Sequence, residues 1–168
     1  MLIKNIKLIF PLLTFLQLNV IIIIKIPREE GKFKMTIRYA TFNDTIRIIR
    51  AIQNKHFNYN TPLNVREDIS AGRLIVAEEN GKLLGSVAIV YKPHRGYYAI
   101  MRLCVYSKQN AGKGIASALI DFILGLALGT YGATPWNDNP AMCHIFEKRG
   151  FIYQYTFKEK YRFYKKGA

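Results

Sequence analysis

The chain is poor in cysteine, histidine and acid. Its 168 residues hold two cysteines, three histidines and one tryptophan. Cys104 and Cys143 cannot build a disulfide framework, and neither stands at a metal-ligand spacing. Both read as small buried hydrophobes of a reducing compartment. His56, His94 and His144 are scattered, so a metal centre has no support. Acidic residues number 11 against 25 Lys and Arg, which leaves +14. That excess argues against a cationic substrate and favours anionic partners: a phosphorylated cofactor, nucleic acid or a membrane surface. There is no internal repeat and no low-complexity linker. What is present is a globular balance, 50% hydrophobic and 21% charged, long enough for one domain with a sizeable core.

The first 34 residues stand apart. Residues 2–26 are almost all Leu, Ile, Phe, Lys and Asn, and the longest lysine-free run, residues 8–24, has 17 residues. That is short for crossing a bilayer, and Pro11, Thr14, Gln17 and Asn19 interrupt it. Lys4 and Lys7 precede it as in a signal anchor, but Lys25 and Arg28 follow, and no small-residue cleavage site is present. A start codon chosen too early explains the stretch as well. Arg28-Glu29-Glu30-Gly31 suits purine-rich codons resembling a ribosome-binding site, and Met35 follows directly before a natural first strand. The extension is therefore expected to be a mis-called start, with a membrane anchor as the alternative. It carries six Lys and Arg and two Glu, so residues 35–168 hold +10.

From Met35 the chain alternates elements. Residues 36–40 read as a strand. Asn43 or Asp44 caps a helix with Ile46, Ile48, Ile49 and Ile52 on one side. A polar and aromatic loop follows at residues 56–62, then a short helix at 63–71. Residues 73–79 and 82–91 are strands joined by Asn80-Gly81, a strong hairpin signal. Residues 97–105 form a longer strand and 114–128 a helix ended by Gly129. Residues 130–136 are a weak strand containing Gly132 and Pro135. A last helix starts at Asp138 or Asn139 with Pro140 in its first turn and ends at Gly150. Phe151, Tyr153, Tyr155 and Phe157 alternate along one strand face, and residues 161–165 close the sheet.

One stretch organises the rest: Ala111-Gly112-Lys113-Gly114-Ile115-Ala116, between the long strand and the helix after it. Small residues let several backbone N–H groups point one way, and the helix N-terminus adds partial positive charge. Together they make an anion site suited to phosphate. The plainer reading is a tight turn with no ligand.

The order β-α-α-β-β-β-α-β-α-β-β, with two motifs, resembles the GNAT superfamily of N-acetyltransferases. The family's acyl-CoA loop, Q/R-x-x-G-x-G/A, resembles Ala111-Gly112-Lys113-Gly114-Ile115-Ala116, with Ala at the first position. Gln109-Asn110-Ala111-Gly112-Lys113-Gly114 is a second register. The family's N-x-x-A-x-x-x-Y-E-K-x-G-F region resembles the run from Asn139-Pro140-Ala141 through Phe146-Glu147-Lys148-Arg149-Gly150-Phe151. The resemblance covers residues 35–168. It implies a mixed α/β (α+β) fold: a mostly antiparallel sheet with a splayed strand pair, flanked by about four helices. It also implies an acetyl-CoA-dependent N-acyltransferase without a metal. The backbone from Asn110 to Ala116 would bind the pyrophosphate, with Lys113 adding charge. Backbone groups of Leu103, Cys104 and Val105 would bind the pantetheine and acetyl carbonyl, and Asn139 and Phe146 would lie beside the cofactor.

The resemblance strains at the proton chemistry. Many members place a tyrosine acid where this chain has Phe146. Many also place a glutamate on the long strand, and Tyr98-Ala99-Ile100-Met101-Arg102 offers none. Replacement candidates are Tyr98, His94, Cys143, His144 and Tyr155, each with an ordinary structural explanation beside it. Trp136, near the splay, reads as core rather than as a substrate platform, and Arg102 as an exposed sheet arginine or an anion ligand. The acceptor is expected to be a small-molecule or protein amine. Alternatives are an amine on charged tRNA, suggested by Lys158, Lys160, Arg162, Lys165 and Lys166, or a non-catalytic acyl-CoA-binding domain. The expected setting is cytoplasmic, as monomer or homodimer, with membrane contact only through residues 1–34.

Overall fold

Asn80 (φ 48) and Gly81 (φ 74) both take the left-handed conformation, which matches the twist of the strands they join. The computed structural model describes residues 24–26, 35–53 and 62–167. Its strands are β1 (Ile24–Ile26), β2 (Met35–Tyr39), β3 (Leu74–Glu79), β4 (Lys82–Lys92), β5 (Tyr97–Val105), β6 (Tyr131–Ala133), β7 (Ile152–Phe157) and β8 (Tyr161–Lys166). They form one sheet in the order β1-β2-β3-β4-β5-β6-β8-β7. Every pairing is antiparallel except β5 with β6. The helices are α1 (Thr45–Gln53), α2 (Pro62–Ser70), α3 (Ile115–Gly125) and α4 (Pro140–Glu147). This is the mixed, mostly antiparallel architecture expected. The loop expected at residues 56–62 lies outside the described residues up to residue 61, as does the N-terminal extension apart from β1.

The sheet is covered on both faces. Leu119, Ile120 and Ile123 of α3 and Phe146 of α4 pack on one face with Ile37, Ile75, Val87 and Ile100. On the other, Ile48, Ile52, Val65 and Ile69 of α1 and α2 pack with Leu74, Val76, Ala88 and Cys104. Ile46, expected on the apolar side of α1, is exposed.

Three expectations are corrected by local geometry. α3 stops at Gly125 instead of near residue 128. Leu126 and Ala127 tighten the last turn onto Ile123 O and Leu124 O, and Ala127 turns left-handed at φ 50. The Tyr131 hydroxyl donates to Ile123 O at 3.1 Å and accepts from Leu128 N at 2.9 Å, tying the helix end to β6. The aromatic stripe of β7 is split. A bulge falls between Tyr153 and Tyr155, so Tyr153 pairs with Tyr164 and Tyr155 with Phe163. The two tyrosines therefore stand on opposite faces. Arg102 is neither an exposed sheet arginine nor available to an anion. It turns left-handed (φ 53) and its guanidinium pairs with the buried Asp68 of α2.

One charged cluster holds β2, α1 and β3 together. Asp44, 1% exposed, accepts from Arg38 Nη1 at 2.7 Å, Arg47 Nη1 at 3.0 Å and Thr41 N at 2.8 Å. Arg38 also pairs with Glu78. Burial alone pushes the Asp44 carboxyl up, but the hydrogen bonds from Arg38 and Thr41 outweigh it and bring it down to about 2. A carboxyl lowered on folding stabilises above its unfolded value near 3.8, and that contribution is lost as pH falls from there toward 2. The contribution at neutral pH is about 2 kcal/mol. Chemical denaturation should show stability falling by this amount between about pH 4 and 2. In Asp44→Ala that slope should flatten, and the loss at pH 7 should be about 3 kcal/mol, because Arg38 is left with one partner fewer.

Candidate active site

The site is set by where the β5–β6 ladder stops. β5 pairs with β6 only at Tyr98↔Tyr131, Ala99↔Gly132 and Ile100↔Ala133, although β5 runs on to Val105. β6 ends at Ala133, and the chain after it stays with β8: Pro135 O accepts from Arg162 N at 3.1 Å. Trp136 then bridges to Tyr161 of β8 instead. On its side, β5 is bent at the same level. Its register against β4 shifts between Ser86↔Cys104 and Ala88↔Met101, so β5 carries one extra residue around the left-handed Arg102. Asp68 of α2 holds that arginine from one side and pairs with Arg73 at 3.1 Å from the other. A gap therefore opens between residues 101–105 and residues 134–136. This is the expected splayed pair.

The far end of the gap leads to the glycine turn. Ser107 accepts from Gln109 N at 3.2 Å and starts a single 3-10 turn, Lys108–Asn110. Gly112 (φ 75) and Gly114 (φ 74) are both left-handed, where a Cβ is costly. Ile115 and Ala116 open α3, and Ala118 is the residue whose N–H first reaches back, to Gly114 O at 2.9 Å. The N–H groups of Ile115, Ala116 and Ser117 point out of the helix end, whereas those of Asn110, Ala111 and Lys113, expected to bind the pyrophosphate too, are bonded back to Ser107 O, Lys108 O and Asn110 O. A Cβ on Gly112 would meet nothing within 4 Å, so the space beside the turn is open. Lys113 and Asn110 are joined at 3.4 Å from Nζ to Oδ1, which draws the lysine against the loop. Neutral donors, a helix N-terminus and one lysine fit a pyrophosphate.

The end of β5 rests on Gly85 of β4. A Cβ there would stand 2.6 Å from Cys104 O and 3.2 Å from Ile115 Cγ2. The close approach sets both the last turn of β5 and the first residue of α3. The sequence signal was an isolated glycine inside a strand, a mark of close backbone approach.

The expected cofactor residues are placed as follows. Tyr106 donates its N–H to Leu84 O at 2.8 Å, so alternation turns the Val105 peptide group toward the gap and that of Cys104 toward β4. The Cys104 side chain is buried with the α1–α2 cluster, and Leu103 is half-buried directly after the bulge. Asn139 caps α4, its Oδ1 accepting from Met142 N at 3.1 Å. Phe146 is a core ring, 3% exposed, 5.0 Å from Phe151 and 6.4 Å from Tyr164 between centroids.

The five catalytic candidates do not converge. His94 is exposed in the turn Pro93–Arg95, and His144 is exposed on α4. Cys143 is buried with Sγ 3.9 Å from Trp136 O. Tyr98 is half-buried between Tyr91 and Tyr131. Tyr155 is exposed beside Phe163, on the face away from α4. Among the described residues no hydrogen bond or ring contact joins any two of them. Trp136, expected in the core, is 44% exposed at the margin of the gap. Of the C-terminal cations, Arg162 donates to Asn137 Oδ1 at 2.6 Å, while Lys158 and Lys160 stand in the turn. No group of three metal-ligating side chains occurs among the described residues, and none of their helices is long and apolar enough to cross a membrane.

This geometry has relatives. A search of curated protein sequences gives no match. Among solved structures, a GNAT-family acetyltransferase from Bacillus cereus ATCC 10987 aligns with TM-score 0.71 at 15% identity, covering 80% of this chain and 97% of that one. A second, from Streptococcus agalactiae 2603, gives 0.69 at 20% identity over 82% and 98%. The diaminobutyrate acetyltransferase EctA from Paenibacillus lautus, solved with L-2,4-diaminobutyric acid and coenzyme A, gives 0.66 at 15% over 81% and 96%. At these identities the likeness shows the fold. The sequence itself matches the family model described as "Acetyltransferase (GNAT) family" over residues 43–151, more than half of its length. With its interrupted β5–β6 ladder and glycine turn, the chain belongs to that family.

Proposed function

We propose that the protein transfers an acetyl group from acetyl-CoA to a primary amine by direct attack of the nitrogen on the thioester. The observation that carries this reading is the gap beside residues 101–105 running into the left-handed turn at Gly112 and Gly114. An extended amide-bearing chain fits beside β5 as an added strand. A pyrophosphate fits the α3 N-terminus at the end of the same path. EctA, of the same fold, was solved with coenzyme A and an amine-bearing substrate, which supports both halves of the reaction.

The chain's part is positioning. The residues before Ala118 hold the phosphates, and the edge of β5 at Val105 aligns the pantetheine. The thioester supplies an activated acetyl carbonyl. A peptide N–H aimed at its oxygen stabilises the charge that develops there, an effect worth roughly 3 kcal/mol in other enzymes. Alignment of nitrogen and thioester supplies much of the remaining rate. Cys104 and Cys143 are 4% and 3% exposed, so neither serves as a covalent acetyl carrier. Phe146 holds no proton, so the leaving thiolate takes its proton from solvent or from the amine.

Two measurements test the donor site. Gly112→Asp/Gly114→Asp places two carboxylates against the phosphates, and calorimetry should show coenzyme A binding weakened on the order of 100-fold or more. Undiminished binding would remove the turn from the site. Gly85→Ala drives a methyl into Cys104 O. It should lower the unfolding free energy by about 2 kcal/mol and weaken coenzyme A binding as β5 and α3 shift apart. Full affinity in that variant would show that this contact does not set the site.

A further inference from the structure

We propose that the acceptor is an aryl amine, held against a row of aromatic rings that flanks the gap on the face opposite α4. This inference rests on the acetyl-transfer reading and names its substrate class.

The row begins at Tyr97 of β5. Its ring lies across β6 at Gly132, where a Cβ would come within 2.6 Å of it. That glycine lets Tyr97 reach Phe163 of β8, 5.5 Å between centroids. Phe163 continues to Tyr155 at 5.2 Å, Tyr155 to Phe157 at 6.4 Å, Phe157 to Tyr161 at 5.2 Å and Tyr161 to Trp136 at 5.5 Å. Tyr164, next to Phe163, packs on Phe146 of α4, so Phe163 and Tyr155 point away from that helix. Tyr97, Ala99 and Phe163 form their own small cluster with Met101, apart from the α1–α2 core. Met101 stands on the near margin of the gap and Trp136 on the far one. Tyr155 and Trp136 keep 48% and 44% of their surface exposed.

The chemistry of this surface selects among amines. An alkyl amine arrives as an ammonium and needs a base. The row offers phenols, which are not bases at neutral pH. The adjacent carboxylates, Asp138 and Glu159, are exposed in turns. Ring faces do attract an ammonium, but they favour its charged, unreactive form. An aryl amine is uncharged at neutral pH and stacks on the same rings. Arg95, in contact with the Tyr97 hydroxyl, and Lys165 of β8 border the row with positive charge. This repels a cationic acceptor and suits one carrying a carboxylate. The nitrogen forms a bond to the acetyl carbon as the carbon–sulfur bond breaks. The sulfur leaves with the electron pair, and the proton lost by nitrogen returns to it through water.

Trp136 is the single tryptophan, so the site carries its own reporter. Full-length protein should show saturable quenching of tryptophan emission by 4-aminobenzoate and by aniline, and none by n-butylamine. Thiol release with the aryl amines should be flat between about pH 6 and 9, because their nitrogen is already uncharged there, whereas the free-base fraction of an alkyl amine rises about tenfold per pH unit. Tyr155→Ala should raise KM for 4-aminobenzoate about five-fold at unchanged coenzyme A affinity, and Tyr155→Phe should restore it. Absence of quenching by both aryl amines overturns the proposal. So does a higher kcat/KM for n-butylamine, or Tyr155→Ala with unaltered KM. Failure of the acetyl-transfer reading itself is seen separately, as absence of coenzyme A binding in calorimetry.

Discussion

A β-strand must satisfy its peptide groups on both sides or leave them to solvent and ligands. The interruption of the β5–β6 ladder after Ile100↔Ala133 is the constraint on which the rest of this structure turns. Two causes act at the same level of the sheet. The chain leaving β6 stays with β8, Pro135 O accepting from Arg162 N and Trp136 bridging Tyr161. The bulge around Arg102 bends β5. Either alone would leave a local irregularity in a continuous sheet. Together they part the strands and leave a slot as long as the remainder of β5.

What keeps the slot from collapsing is anchoring on each side. Asp68, 1% exposed, binds Arg102 and Arg73 and fixes the bulge to α2. A left-handed arginine is a strained conformation, and the buried ion pair is what holds it. On the other side the Tyr131 hydroxyl joins β6 to the end of α3, and Gly132 allows Tyr97 to lie across β6 onto β8. The helix that presents its N-terminus to the slot is thus bound at its other end to the strand that forms the slot's wall. Gly85 completes the frame by letting β4, β5 and Ile115 meet closely.

The parts of this arrangement written in local residue pattern were legible in the sequence. The Asn80-Gly81 hairpin, the extents of β2 to β5 and α2, and the glycine turn each depend on neighbours within a few positions. Features that depend on residues distant in the chain were not. Nothing near Tyr153 or Tyr155 announces a bulge at Gln154; it is set by pairing with β8. The Arg102–Asp68 pair spans 34 positions, and neither residue shows its partner. Trp136 fits a core ring or a substrate platform equally in local pattern; its 44% exposure follows from the departure of β6 from β5. Leu126 and Leu128 continue the apolar pattern past the end of α3 at Gly125, while the left-handed Ala127 is invisible in composition.

The same reasoning explains why the donor half of the site is easier to read than the acceptor half. A pyrophosphate is recognised by backbone N–H groups, and backbone geometry of that kind needs glycine at fixed positions, which leaves a mark in sequence. The proposed acceptor would be recognised by side chains gathered from β5, β7, β8 and the segment after β6, each contributing one or two rings. No window of the sequence contains them all, and a row of strand aromatics looks like packing until the sheet places them beside the gap. Phe146 sharpens the point. In the sequence it marks a missing acid; in the structure it is a core ring beneath Tyr164. An acceptor nitrogen that arrives uncharged needs no base to free its lone pair, so the proposed aryl amine would account together for the aromatic row and for the lack, among the described residues, of a convergent acid–base pair.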